Sequence, residues 1–269
     1  MSETELACLD GTFAPAGETF IPATDEGLVR GDGVFEVVKV YDGVPFALKE
    51  HLDRLERSAT KLRLGWDPPR ETLQEEVAAL IAERDEHYDA LVRIILTHGG
   101  RRLLTTEPNP VYPERLRCCF VTYAPTRLLD GVKSLSYAAN MLAGRIAAER
   151  GFDEALLVTP HGRVLEAPTS SIFWVDPDGT LCTPPLDEHI LASITREAVL
   201  KVMEVEERAA TTDDVLNATE AFLASTTREA HSIAAIEDHE FPGGVGERTR
   251  EAAAAVRAYI EESLRAVRA

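Results

Sequence analysis

Gly131-Val132-Lys133-Ser134-Leu135-Ser136-Tyr137 separates an irregular, proline-bearing segment over 124–130 from an apolar helix that the spacing predicts over about 137–150. Lys133 is one of only five lysines in 269 residues, so each can be weighed in turn. Lys49 sits in a polar patch before a helix, and Lys61 and Lys201 fall on the polar sides of helical patterns. Lys39 lies inside an apparent strand and stays open as a second candidate. At a junction beside small and apolar residues, a lysine can lose enough hydration to act as a neutral amine and form a Schiff base.

Moving outward toward the N-terminus, Val34-Phe-Glu-Val-Val-Lys-Val-Tyr41 is dominated by β-branched and aromatic residues, with Asp42-Gly43 as a turn into Val44-Pro-Phe-Ala-Leu48. Period-two alternation puts Glu36 on one face with Val34, Val38 and Val40, and Phe35, Val37 and Lys39 on the other. A charge on each face fits an edge strand or a strand lining a polar pocket. Residues 1 to about 45 are expected to be β-rich. A helix is expected over 49–62, with Leu52, Leu55, Ala59 and Leu62 on its buried face and Arg54 at its margin. A second helix is expected over 71–86, then strands over 91–97 and 116–123, with the loop His98-Gly-Gly-Arg-Arg102 after the first of them. The pattern gives a smaller α+β domain over 1–123, a linker over 124–130 and a larger β-rich domain with flanking helices over 131–269.

Toward the C-terminus, Gly151 stops the helix that follows Lys133. Short strands are expected over 154–159, 163–166, 171–175 and 180–182, with turns at Pro160-His-Gly162 and Asp176-Pro-Asp-Gly179. Ser193 is the expected N-cap of a helix over 194–206. A further short helix, a strand over 221–225 and a closing helix over about 247–267 complete the chain.

Composition bounds the partners. A formal charge of −18 disfavours nucleic acid and anionic membrane as targets. No stretch approaches the roughly 18 apolar residues of a membrane span, and the acidic Met-Ser-Glu-Thr-Glu start is unlike a signal peptide. Cys8, Cys118, Cys119 and Cys182 show no metal-binding spacing and read as buried, reduced thiols of a cytoplasmic protein, with no metal expected. An anionic ligand must then be held by a local device.

Such a device is available. Ser193-Ile194-Thr195-Arg196 opens a helix whose first amides and macrodipole favour an anion. Ser225-Thr226-Thr227 at a strand end offers hydroxyls and N–H groups for the same anion. Glu166 ends a strand and opens the small-residue loop Ala167-Pro-Thr-Ser-Ser171, where a carboxylate could hold a protonated ring nitrogen. An amine, a ring-nitrogen partner and a phosphate site are what pyridoxal 5′-phosphate needs.

Several stretches, in order, carry a resemblance to a known family: Gly31-Asp-Gly-Val-Phe-Glu36, His51-Leu-Asp-Arg-Leu-Glu-Arg-Ser-Ala59, Val132-Lys-Ser-Leu135, Gly151-Phe-Asp-Glu-Ala155, Gly162-Arg-Val-Leu-Glu166, Thr183-Pro-Pro185, Ile190-Leu-Ala-Ser-Ile-Thr-Arg196 and Ser225-Thr-Thr227. The chain resembles the class IV, or fold-type IV, pyridoxal-phosphate aminotransferases. The resemblance implies a two-domain fold of mixed α+β character and transamination between an amino donor and a 2-oxo acid. It also implies a homodimer with active sites near the subunit interface.

Residue by residue, the resemblance implies that Lys133 forms the Schiff base and shuttles the proton, and that Glu166 holds the pyridine nitrogen. Arg54, Ile194, Thr195 and Thr226 would grip the phosphate, and Leu191 would pack on the ring. Ser193 stands where the family pattern has glycine. The run Phe35–Tyr41 resembles the D-amino acid aminotransferases, which implies D-amino acids or (R)-amines as donors. Phe35, Thr227 and an arginine (Arg30, Arg101 or Arg102) are the expected substrate-binding residues on that basis. Arg93 stands where branched-chain enzymes carry an arginine, so an L-branched-chain aminotransferase is the alternative. Aminodeoxychorismate lyase follows, disfavoured by Glu36-Val37-Val38 where lyases carry hydroxyls. A catalytically silent, cofactor-binding member is a further class, opposed by intact Lys133 and Glu166.

Overall fold

The computed structural model describes residues 5–84, 87–241 and 243–268. They form two compact units. The first contains the chain up to Pro110, then Val132–Tyr137 and the residues from Ser263 on; the second contains Val111–Gly131 and Ala138–Glu262.

In the first unit, β1 (Leu6–Leu9), β2 (Thr12–Pro15), β3 (Gly33–Tyr41), β4 (Val44–Pro45), β5 (Ala90–Thr97) and β6 (Arg102–Glu107) form one antiparallel sheet in the order β2-β1-β6-β5-β3-β4. The helices are α1 (Glu26–Arg30), α2 (Leu48–Leu62) and α3 (Arg70–Ala82). Alternation decides what each face does. Val34, Val38, Ile94 and Leu104 point from the sheet into a core with Leu52 and Leu55 of α2 and Leu73 and Leu80 of α3. Leu55 is fully buried, which is worth about 1.5–3 kcal/mol relative to exposure. The other face, with Val37, Arg93, Ile95 and Thr105, is only half covered.

The second unit holds β7 (Leu116–Thr122), α4 (Ala138–Glu149), β8 (Glu154–Val158), β9 (Arg163–Val164), β10 (Ser171–Val175), β11 (Leu181–Thr183), α5 (Ile194–Val202), β12 (Glu206–Glu207), β13 (Ala210–Thr211), α6 (Thr212–Leu216), β14 (Glu220–Ser225), β15 (Glu229–Ile236), β16 (His239–Glu240) and most of α7 (Glu247–Arg268). Its sheet runs β12-β11-β10-β14-β15-β7-β8-β9-β13, with β16 on β15. Pairing is parallel at β15/β7, β7/β8 and β11/β12. Phe173 and Phe222 stack across β10 and β14 at 4.9 Å, both fully buried. Glu220 anchors α7: its carboxylate accepts from the Thr249 N–H and hydroxyl (2.9 Å each) and from the Arg248 N–H (3.2 Å). A Cβ at position 246 would lie 1.9 Å from that carboxyl carbon, so a side chain there would have to displace Glu220 from this anchor.

The expected mixed α+β fold is present, with adjustments. The helix expected over 71–86 covers Arg70–Ala82; 85–86 lie outside the described residues. The helix from 194 ends at Val202 rather than 206. Residues 25–30, expected within a β-rich segment, begin α1, where Asp25 caps the Gly27 N–H at 2.8 Å. The strand over 116–122, expected in the first domain, is paired with β8 and β15, and the segment 124–130 belongs to the second unit. The chain passes between the units after Pro110, on either side of Val132–Tyr137 and again before Ser263. The four cysteines are free and buried as expected; burial first, then Glu76, pushes the Cys8 thiol up to about 11.

Candidate active site

The first unit presents Lys133 on the edge of β3. The Phe35 N–H donates to the Lys133 carbonyl (3.0 Å) and the Leu135 N–H to the Gly33 carbonyl (2.9 Å), so residues 133–135 continue the sheet beyond short β4. Gly33 permits this approach: a Cβ there would meet the Leu96 carbonyl at 2.4 Å and Leu135 at 2.6 Å. The Lys133 N–H donates to Ser58 Oγ of α2 at 3.2 Å. Its half-buried side chain carries Nζ over the Phe35 ring, 4.5 Å from the centroid, with Tyr137 at 5.9 Å. Tyr137 meets Phe35 edge-on at 5.4 Å.

On the helix side of the same strand, Glu36 is fully buried. Arg54 donates Nε to Oε1 (2.6 Å) and Nη2 to Oε2 (2.7 Å), and His51 Nδ1 lies 2.8 Å from Oε2. Burial alone would raise the Glu36 carboxyl, but the Arg54 charge and the hydrogen bonds from Arg54 and His51 bring it down to about 2. Burial lowers the His51 pKa despite Glu36, helped by the Arg54 and Lys133 charges. A neutral His51 that donates from Nδ1 keeps a lone pair on Nε2, and that atom is buried without a hydrogen-bond partner. The charge that Glu36 places in an apolar strand is thus answered by two residues one turn apart on α2.

The other lysine and the arginines separate clearly. Lys39, the second candidate amine, is held by Asp89 Oδ1 and Asn109 Oδ1 at 2.5 Å each. Arg30 pairs with Glu26 on the surface of α1. Arg101 donates to Asp10 (2.8 Å) at the exposed end of the 98–101 loop. Arg102 is bidentate to Glu76 of α3 at 2.6 Å in each bond. It alternates in phase with buried Leu104, so its side chain lies on the helix side of the sheet and not on the Phe35 face, where a substrate arginine is expected. Arg93 does lie on the Phe35 face, its guanidinium carbon 5.4 Å from that ring.

In the second unit, Glu166 follows β9, and its Oε1 accepts from the Leu191 N–H at 3.2 Å. Burial, and then the Glu166 charge, raise the Tyr123 phenol. Ser193 caps α5 by accepting from the Arg196 N–H (3.3 Å), as expected. The helix opens with buried Ile194 and Thr195, whose first-turn amides have no acceptor one turn back. Arg196 ties this end down through the Pro184 carbonyl (2.9 Å) and Glu207 (2.5 Å).

Thr226-Thr227-Arg228 form the hairpin loop between β14 and β15. The Thr227 hydroxyl lies 2.9 Å from the Tyr112 hydroxyl and 3.4 Å from Ser225 Oγ. Arg228 lies over the Tyr112 ring at 4.4 Å. It donates to Ser170 Oγ (2.6 Å), Thr169 Oγ1 (3.2 Å) and Glu154 Oε2 (2.6 Å). One buried guanidinium therefore fixes the hydroxyl-bearing hairpin to the loop that follows Glu166.

The donor chemistry fits an aldehyde-bearing pyridine phosphate: an amine in the first unit, and in the second a carboxylate, a helix N-terminus and a hydroxyl turn. His51, Tyr112, Tyr123 and Arg228 were not among the expected residues. The spacing of His51 and Arg54, three apart on one helix face, was the available signal for the first; the others depend on pairings that spacing does not reveal.

The model of the family described as amino-transferase class IV matches residues 33–236. The chain is similar to a Methanocaldococcus jannaschii protein provisionally named a branched-chain-amino-acid aminotransferase, at 33% identity over 245 residues, 82% of this chain and 84% of that protein. It is similar to a D-alanine aminotransferase of Bacillus licheniformis, at 28% identity over 87% of this chain and 89% of that one. Among solved structures, a fold IV-transaminase of Curtobacterium pusillum matches with a TM-score of 0.85 at 31% identity, covering 94% of this chain and 99% of its own.

Proposed function

We propose that this chain, which belongs to the class IV aminotransferase family, prefers D-amino acids or (R)-amines as donors and uses Lys133 as its reacting amine. Transamination is its reaction and pyridoxal 5′-phosphate its cofactor. The observation that carries the role of Lys133 is its placement: the backbone is locked to the edge of β3, and Nζ lies on the Phe35 ring.

Bound pyridoxal phosphate supplies an electron sink for the donor's Cα. Lys133 Nζ takes the Cα proton and returns one during transfer. The Glu166 carboxylate, oriented by the Leu191 N–H, would accept a hydrogen bond from the protonated ring nitrogen and keep that proton in place. The Ile194 and Thr195 amides, the Thr226 hydroxyl and Arg54 would bind the phosphate, and Leu191 would pack on the ring. Glu36, held in turn by His51, engages Nε and Nη2 of Arg54 and so fixes the position of that guanidinium.

The handedness rests on the Phe35–Tyr41 pattern, with support from the relative named a D-alanine aminotransferase. Arg101 is the arginine we assign to the substrate carboxylate. Its partner Asp10 is a surface residue, and such pairs are held by only about 0–1 kcal/mol. Arg30 is the second choice; Arg102 is committed to Glu76. The test is kcat/KM for paired enantiomers of alanine, glutamate and leucine. Faster turnover of an L-branched-chain donor would establish the second reading, favoured by Arg93 and by the 33%-identical relative.

We assign the active form to a homodimer in the cytoplasm, with neither nucleic acid nor membrane as partner. Phe20, Leu28 and Val29 are exposed apolar residues of the first unit that a second copy could cover. Four free, buried thiols suit a reducing compartment. No described helix is long and apolar enough to cross a membrane. A fully active monomer in sedimentation at assay concentration would refute the dimer.

A further inference from the structure

Two cations share the Phe35 ring: Lys133 Nζ at 4.5 Å and the Arg93 guanidinium at 5.4 Å from its centroid. Arg93 stands opposite Val37 of β3 and Thr105 of β6, and Glu107 lies two residues along β6 from Thr105 on the same face. A guanidinium this near a reacting amine would ordinarily be a receptor for a second carboxylate on the substrate's side chain, because its fork matches a carboxylate. Here that edge is taken. Nε donates to Glu107 Oε1, and Nη2 donates to Oε2 at 2.8 Å. Both side chains retain about a third of their exposure, 31% and 28%, so the pair is formed where a substrate can meet it.

We propose that Glu107 is a specificity-determining residue. It acts as an internal carboxylate that neutralises Arg93 and reserves the Phe35 face for donors and oxo acids with uncharged side chains. An acidic side chain would have to expel Glu107 from the fork and then lie beside its negative charge, losing on both counts. An uncharged side chain meets Phe35, Val37 and a closed ion pair without breaking anything. The inference rests on the transaminase reading of this site.

The experiment compares glutamate with norvaline of the preferred handedness in single-turnover reactions of the loaded protein. Its readout is the ratio of their kcat/KM values, which a loss of folded or loaded protein does not move. Wild type is expected to favour norvaline by at least about a hundredfold. Glu107→Gln keeps the shape, removes the charge, and should shift the ratio toward glutamate about tenfold or more. Arg93→Met combined with Glu107→Gln should abolish that shift, since the gain depends on the uncovered guanidinium. Calorimetry without turnover gives an independent reading: Glu107→Gln should tighten glutarate selectively over valerate on the unloaded protein. Either ratio unchanged in Glu107→Gln, a shift that survives loss of Arg93, or a wild type that uses glutamate as readily as norvaline would overturn the assignment. A loaded wild type that turns over no amino donor would instead overturn the transaminase reading beneath it, and this assignment with it.

Discussion

Lys133 Nζ rests on the face of Phe35, 4.5 Å from the ring centroid, while the two backbones are joined by the Phe35 N–H and the Lys133 carbonyl. The strand that supplies the aromatic surface is the strand that fixes the lysine's main chain. Movement of the amine relative to the ring is therefore limited to side-chain rotation.

In the role proposed for Lys133, Lys133→Ala removes the covalent anchor and the proton carrier together. Expected are loss of the borohydride-fixed pyridoxyl label and a fall in kcat of at least about a thousandfold. Peptide mass spectrometry after reduction checks it. A label recovered on Lys39 would transfer the role, at the cost of breaking the Asp89 and Asn109 contacts.

Glu166→Gln should keep the cofactor but lose about a hundredfold to a thousandfold in kcat, the usual range for removing one preorganised electrostatic partner. An amide keeps an acceptor for the Leu191 N–H but cannot hold a pyridinium proton by charge. Cofactor content by absorbance, measured beside kcat, separates the two effects.

Burial would raise the Glu36 carboxyl, yet the Arg54 charge and the hydrogen bonds from Arg54 and His51 bring it from its ordinary 4.5 down to about 2. A depressed carboxyl stabilises the fold fully above its unfolded pKa, and that contribution is lost as pH falls through the folded value. The loss should lie between about pH 4.5 and 2. Glu36→Gln leaves Arg54 buried without its counter-charge and should cost about 3–5 kcal/mol at pH 7. It should also flatten the stability curve in that acid window. Urea midpoints at a series of pH values test both statements.

Arg228→Met breaks a buried pair with Glu154, whose side chains are 6% and 8% exposed. About 3–5 kcal/mol is expected, or a fall in Tm of roughly 10 °C. Adding Glu154→Gln should recover part of this, because the stranded carboxylate is then gone. Thermal unfolding of the two variants shows whether the pair is coupled; purely additive losses would say it is not.

What could be read from the chain before its structure was known divides along a physical line. β3, α2, α4 and α7 carry their own period, and each was foreseen within a few residues. β6 and β15 were not: Arg102-Leu-Leu-Thr-Thr-Glu107 and the alanine-bearing run 229–236 have little strand character of their own and are held by neighbours on both sides. Without β6 there was no register to set Glu107 beside Arg93, or to place Arg102 on the helix side. The placement of Lys133, Glu166, Ser193 and Thr226 at junctions between elements was legible, because local chemistry marks such positions; the roles given to them remain proposals. The partners of Glu36 were half legible, as a polar edge on α2 with no indication of what it faced.

The first unit's assembly from separated stretches has a bearing on how the protein is made. During synthesis β3 emerges long before residues 133–135 that fill its edge, and Asp42 waits 226 residues for the Arg268 side chain that bonds it. At about 5–20 residues per second that second wait lasts roughly ten to forty-five seconds. Until 133–135 have emerged, the nascent chain carries an apolar strand with an open edge, the template on which stray strands pair. The hazard belongs to the half-made polypeptide and ends once the lysine segment docks, so yield in a host should respond to elongation speed and chaperone supply more than to the stability of the finished molecule.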